Sequence, residues 1–328
     1  MAFPAASPSS TPSIYPAGSA GNGLSAVGFI PEIWSGKLVE KFYASTVLAA
    51  ISNTDYEGEI KSQGDKVKIR TKPTITIKDY AADGSLEIER PKGNVLDLLI
   101  DKGKYFNTIL DDVMEVQSDL NQLSMWSDDA GEQMKIVIDT EVLLGLVGTP
   151  DSLNRGTAAG KISGSINLGV TGTPIALVAN GPTGGQVEVL DAILRMGQAL
   201  DEQNIPETGR WIVIPTWMST LIKRSELRQA YMSGDSVTIM RNGRLGMIDR
   251  FTIYVSNLLP SGVASGLSAG EFAIFAGHAH GLTFAAQISK VETLRSESTF
   301  GTLLRGLNVY GYKVVDGTAL AQAIVSKA

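Results

Sequence analysis

The chain contains no cysteine. Disulfide staples, thiolate nucleophiles and cysteine-ligated zinc are excluded from the start. Histidine is nearly as scarce: His278 and His280, in the stretch GHAHG, are the two present in 328 residues. No segment reaches the ~18 consecutive apolar residues that a membrane-crossing helix needs. The opening MAFPAASPSSTPSIYPAGSAGNG lacks the basic and apolar regions of a secretory signal, so the expectation is a protein made and used in the cytoplasm. Charge is sparse and slightly acidic, with 19% charged residues and a net charge of −6. The basic stripe of a nucleic-acid coat is missing, and a mild self-repulsion suits a soluble particle.

What is present is enough apolar material for a substantial core, 43% of the chain, over a length of roughly two domains. The 35 glycines exceed the usual ~7% and predict many turns and hairpins. Residues 1–28 are Ala, Ser, Pro and Gly with few large apolar groups, a composition that cannot offset its own conformational entropy. They are expected to form a mobile arm, or one that orders against a neighbouring subunit. Ile33, Trp34, Leu38, Phe42 and Val47 recur at helical spacing and predict a helix within 29–51. Over 64–80, Val67, Ile69, Ile75 and Ile77 alternate with Lys66, Lys68, Arg70, Thr76 and Lys78. A turn at AADG (81–84) follows, and Leu86 and Ile88 then alternate with Glu87 and Glu89. This predicts a long hairpin with one wet, charged flank, and 94–110 returns as one or two further strands. A ribbon of two strands is marginal alone in water, so something must hold it.

The longest helical pattern spans 118–148, with Leu120, Leu123, Ala130, Met134, Val137 and Leu144 as its stripe and Ser118 or Asp119 as its N-cap. At 1.5 Å per residue such a rod approaches ~43 Å. Residues 151–185 read as loop with short strands. A second helix is expected over 186–204, with Val187, Leu190, Ile193, Leu194, Gly197 and Leu200 inward and Asn204 closing it before Pro206. RWIVIP (210–215) is an unbroken apolar run, the mark of a strand covered on both faces. Thr216 is the expected cap of a short helix, Asn242-Gly243 a hairpin turn, and 251–255, 271–295 and 305–317 further strands. Helices and mixed hairpins in this order define an α+β fold.

Candidate chemistry is thin. GNGLSA (21–26) imitates a dinucleotide fingerprint but has no strand before it. GTAAGKIS (156–163) imitates a phosphate loop, yet its glycine spacing is one short and Ile162 stands where a metal-binding hydroxyl belongs. His278 and His280 share a face on a strand, and two ligands without an acidic partner hold zinc poorly. Asp111-Asp112 and Asp128-Asp129 are sequence neighbours whose side chains diverge, which suits caps or a wet face rather than catalysis. No catalytic residue, no cofactor-binding residue and no metal ligand is assigned, no cofactor is expected, and the chain is not expected to be an enzyme.

One ordered set of phrases does carry information. ALDEQNIPETGRWIVIP contains N-x-P-x-x-x-R-W, a short helix and NGRLGMIDRFTIYVSNLLP follow, and R-G-L-x-V-Y-G-Y-K closes the set. With FIPEIWSGKLVEKF and GDKVKIR before them, these phrases resemble the major capsid proteins of tailed bacteriophages across about two-thirds of the chain. Asp249-Arg250 departs from the pattern where a glycine is expected before the aromatic. The resemblance implies the Hong Kong 97-type shell fold: residues 1–28 as N-terminal arm, 29–61 opening the peripheral domain, 62–110 as extended loop, and 111–185 as peripheral domain with spine helix and connector. It further implies 186–270 as axial domain, 271–310 as the return through the peripheral domain, and 311–328 as a C-terminal segment near the axial domain. The implied function is a major capsid protein assembling into pentamers and hexamers of an icosahedral head around double-stranded DNA. Its implied place is the virion capsid, assembled in the host cytoplasm.

The partners implied are many copies of the chain itself, a portal protein at one vertex, a decoration protein as a further candidate, and weakly held DNA; no membrane is among them. No acidic helical extension precedes the body, so a separate scaffolding protein is expected to assist. Two rival readings are the encapsulin-like shell of a cellular nanocompartment, which would favour a shorter chain with a cargo pocket, and a soluble ligand-binding or enzymatic α+β protein, which would need a convergent polar pocket.

Overall fold

A computed structural model of the chain describes residues 43–55, 66–70, 73, 75–79, 88–91, 93, 95–112, 122–225, 246–297 and 299–328. The expected arm, the tip of the hairpin, Ser118 and Asp119, GNGLSA and Asn242-Gly243 lie outside the described residues. Within them the order is α1 (Leu48–Ile51), β1 (Lys66–Arg70), β2 (Val95–Leu99), β3 (Lys102–Asp111), α2 (Gln122–Gly145), β4 (Ile175–Val178) and β5 (Val187–Glu188). Then come α3 (Val189–Glu202), β6 (Arg210–Ile214), α4 (Thr216–Arg224), β7 (Met247–Ile248), β8 (Phe251–Val255), β9 (Glu271–His278), β10 (Leu282–Arg295), β11 (Gly301–Val314) and β12 (Leu320–Lys327). This is the α+β fold expected.

Seven strands form one mixed sheet in the order β5-β4-β12-β9-β6-β8-β7. β6 lies inside it between β9 and β8, and all five of its residues are buried, as an uninterrupted apolar run requires. α3 packs Val189, Ala192, Ile193, Met196, Ala199 and Leu200 into the core, while Leu194, read as inward, is exposed. Asn204 takes a left-handed φ of 59°. Its N–H meets the Asp201 carbonyl, and that of Ile205 the Leu200 carbonyl, the bond pair that closes a Schellman motif. Thr216 is not a cap: it is the first residue of α4, and its hydroxyl bonds Asn257. Pro215 supplies the extended backbone that starts the helix.

Three strands, β10-β11-β3, form an antiparallel sheet, and α2, about 36 Å long at 1.5 Å per residue, lies against it. The buried face of α2 is Ile138, Asp139, Val142 and Leu143, whereas Val137 and Leu144 are exposed. This corrects the stripe read from the sequence. Apolar residues surround the helix over IVIDTEVLLGLV, so periodicity alone cannot select a face; the position of Asp139 does. Its carboxylate accepts the N–H groups of Val47 (2.9 Å) and Leu48 (3.1 Å), which starts α1. Residues 43–47 are accordingly not helical, and of the helix expected over 29–51 the described part keeps only the single turn of α1.

β1 pairs antiparallel with β2, Lys66 opposite Leu99 and Arg70 opposite Val95. The same register carried outward sets Thr76 opposite Glu89, and the Thr76 N–H does donate to the Glu89 carboxylate at 3.2 Å. Residues 95–99, read as the start of a further strand, are the partner of 66–70. The base of the hairpin is pinned by Ile69, Leu98, Ile100 and Ala285. At Gly311 a Cβ would overlap the Leu99 carbonyl, so only glycine lets β11 pass this close.

The chain passes from one sheet to the other at 279–281, between β9 and β10, and back at 315–319, between β11 and β12. The two crossings touch: the Val315 N–H donates to the Gly281 carbonyl at 2.9 Å. Residues 271–278 thus belong with β6 and β12 in the large sheet, and the three-stranded sheet is entered at Leu282 rather than at 271.

Candidate functional site

Those of the residues singled out for chemistry that are described are scattered, and several have structural work. The backbone N–H groups of Ile162 (2.7 Å) and Ser163 (3.0 Å) donate to the Glu202 carboxylate. An acid occupies the place a phosphate would need, and those N–H bonds hold its pKa down at about 2. Asp112 pairs with Arg295. Asp129 accepts the Tyr43 hydroxyl at 2.7 Å, which pushes the phenol up to about 12. His278 Nδ1 accepts the His280 N–H at 3.2 Å. No cluster of three or more metal-ligating side chains occurs among the described residues, and none of their helices is long and apolar enough to cross a membrane.

Polar networks concentrate instead where elements join. Glu141 on α2 takes Lys102 and Lys104 of β3, each at 2.6 Å, and the Tyr310 hydroxyl of β11 at 3.0 Å. Burial pushes the Glu141 carboxyl up, but these three donors together outweigh it and hold the pKa at about 2. The cluster fastens the helix to the sheet. On the large sheet, the fully buried Arg210 pairs with Asp201 at 2.7 Å, and Arg250 reaches Asp201 and Glu207, both at 2.8 Å. Asp249 and Arg250, at φ 46° and 66°, form the tight turn between β7 and β8. Both sit in the left-handed region that costs a non-glycine residue about 1–2 kcal/mol. This is where the sequence departed from its pattern: the turn keeps its glycine-like backbone without glycine.

Segment 43–55 is a strap between parts. Besides its bonds to α2, the Ser45 hydroxyl donates to the Val255 carbonyl (2.9 Å) at the end of β8, and Asn53 exchanges backbone bonds with Leu282 and Phe284 of β10.

The remaining prominent feature is apolar surface without cover among the described residues. On the outer hairpin Ile75 is 64% exposed and Ile77 and Ile88 are each 90% exposed. The register of β1 and β2, carried outward, sets the last two opposite each other. On the three-stranded sheet, the face turned away from α2 exposes Tyr105, Ile109, Leu294 and Leu307. A groove of about 500 Å³ runs there beside Glu292, which is paired with Lys290 and Arg305. Periodicity marked the hairpin isoleucines as one face but could not reveal that none of the described residues covers them. Uncovered apolar surface of this kind marks association sites. Fold and surface together define a structural subunit built to associate.

Comparison with known proteins gives that class its family. A family model described as phage capsid protein matches residues 98–323. Among solved structures, one from Mycobacterium phage Che8 superposes with a TM-score of 0.72 at 28% identity, covering 90% of this chain and 97% of that one. The capsid of Cyanophage P-SCSP1u gives 0.70 at 14% identity over 98% and 100% of the two chains. The mature capsid of bacteriophage PhiM1 gives 0.64 at 16% over 92% and 94%. No curated protein matches. The chain belongs to the phage capsid protein family: it is a major capsid protein with the Hong Kong 97-type fold, a structural protein of the virion head shell.

Proposed function

We propose that copies of this chain form pentamers and hexamers that close into an icosahedral head around double-stranded DNA, and that the protein's role is geometric, without catalysis. The observation that carries this reading is the exposed Ile77–Ile88 pair on a two-stranded ribbon. A ribbon of this kind is marginal in water, and a neighbouring subunit is the natural cover for it. A heterologous contact between hairpin and neighbour generates rings when the rotation closes. In this reading the extended loop is the hairpin up to Ile100, because β3 already belongs to the three-stranded sheet; that sheet with α2 is the peripheral part, and the seven-stranded sheet is the axial part, including 271–278 and 320–327. A separate scaffolding protein, a portal at one vertex and loosely held DNA complete the proposal, with assembly in the host cytoplasm.

The test is sedimentation with negative-stain microscopy of the purified chain, alone and with its scaffolding protein. Closed particles, or sheets of five- and six-membered rings, are expected. A monomer or dimer that persists after scaffold is added would overturn the assembly reading.

A further inference from the structure

Neither histidine belongs to the exposed apolar surfaces described above, and His278 stands at the first crossing between the sheets. It is the last residue of β9 and the N-cap of the 279–281 turn, its Nδ1 accepting the His280 N–H at 3.2 Å. A nitrogen that accepts a hydrogen bond carries no proton, so this cap exists only for the neutral ring. The other ring nitrogen faces Gly209, where an added Cβ would stand 3.3 Å from Nε2. Directly across the ladder is Arg210 of β6. Behind the capped turn, Gly281 accepts from Val315 of the second crossing, so the turn bears on both connections.

We infer that His278 is a proton-sensitive latch on the crossing between the two sheets: neutral, it caps the 279–281 turn, and protonated, it releases the cap and loosens the crossing. The charged groups around it favour this direction. Arg210 opposes a second positive charge, although its own charge is shared with Asp201 of α3. His280, on the same turn, is the other titrating neighbour. Glu207, in the adjoining loop, is held by Arg250, and Asp316, at the second crossing, is occupied with Thr318. Burial first, then His280 and Arg210, push the His278 ring below its ordinary 6.5, while the Thr208 carbonyl pulls the other way. A depressed histidine pKa means that the opened state binds the proton first. The closed crossing therefore keeps its stability above pH 6.5 and loses it as the pH falls below. The proposal concerns the subunit itself and stands whichever assembly the chain adopts.

Amide hydrogen exchange of peptides spanning 279–284, corrected for intrinsic rates, tests it on the full chain in its purified state. Between about pH 7.5 and about pH 5.5 opening should quicken several-fold, with a ceiling of about ten-fold for an open-state ring of ordinary pKa. His278→Asn keeps a side-chain acceptor for the same N–H, as in an Asx turn, and should abolish the pH response. His280→Gln should leave it in place. A flat wild-type profile, or a response lost in His280→Gln and kept in His278→Asn, overturns the latch. Should His278→Asn fail to fold, exchange at the ring C2–H of the unmodified chain reads each histidine separately. A His278 that titrates at or above 6.5 is then the overturning result.

Discussion

Asp139 is 1% exposed and a charged group at that depth needs a reason. Its two oxygens take the Val47 and Leu48 N–H groups, neither of which has an earlier helical turn to bond. Burial pushes its pKa up against the pull of those two bonds, so the charge is a cost above the folded pKa that is relieved as the pH falls through it. Asp139→Ala should destabilise the subunit by about 1–3 kcal/mol for the N–H groups left unpaired in the interior. Asp139→Asn retains one acceptor without the charge and should lose less; urea unfolding of both variants measures the difference. Gly197 makes a second case. A Cβ there would overlap the Asp249 carboxylate, so the ~1 kcal/mol that alanine normally adds to a helix interior should be reversed. In an Asp249→Gly background, which also suits the left-handed turn, Gly197→Ala should become stabilising, and a thermal double-mutant cycle reads the sign change. Neither coupling is legible in sequence, because the partners are 92 and about 50 residues apart along the chain. Asn204 was legible, since its signal is local.

At the scale of elements, what the sequence shows is what depends on near neighbours. β6 and α3 could be read from apolar runs, period and turn residues. The inward face of α2 could not, because it is chosen by a group from another element, and Thr216 was misread as the cap of α4 because its hydroxyl is taken by the distant Asn257. The hairpin isoleucines were legible as a face and not as an uncovered one. Ile77→Asp or Ile88→Asp should leave subunit stability within the ±0.5 kcal/mol usual for exposed sites and yet block assembly. Calorimetry beside sedimentation separates the two, and assembly at the wild-type concentration would refute the hairpin's role. The Glu141 cluster makes a pH prediction. Its folded pKa lies below its ordinary 4.5, so the stability it contributes is present above pH 4.5 and is lost as the pH falls towards 2. Glu141→Gln should weaken the subunit at neutral pH and flatten that acid limb in pH-dependent unfolding.

For the whole molecule, the strand order was the least legible feature. β9 and β12 are as apolar as β10 and β11, and nothing in their composition tells which sheet each joins; the crossings at 279–281 and 315–319 decide it. The family phrases reached the architecture by another route, since they report a shared fold and not a local preference. One whole-molecule expectation rests on composition and pairing. A subunit of net charge −6 has little to offer a phosphate backbone, and Lys102, Lys104, Arg210, Arg250, Arg295 and Arg305 are all engaged by carboxylates of the same chain. Strong DNA binding releases counterions in proportion to the cations it supplies, so a net-acidic subunit with these six cations already paired is expected to bind weakly and with a shallow salt slope. Purified subunits or emptied shells should therefore show a DNA affinity no tighter than the ~10⁻⁴–10⁻⁶ M typical of non-specific contact at physiological salt. Filter binding across a salt series checks both quantities. A submicromolar affinity with a steep slope would mean that a cationic surface faces the genome, and the shell would then hold its DNA actively instead of merely enclosing it.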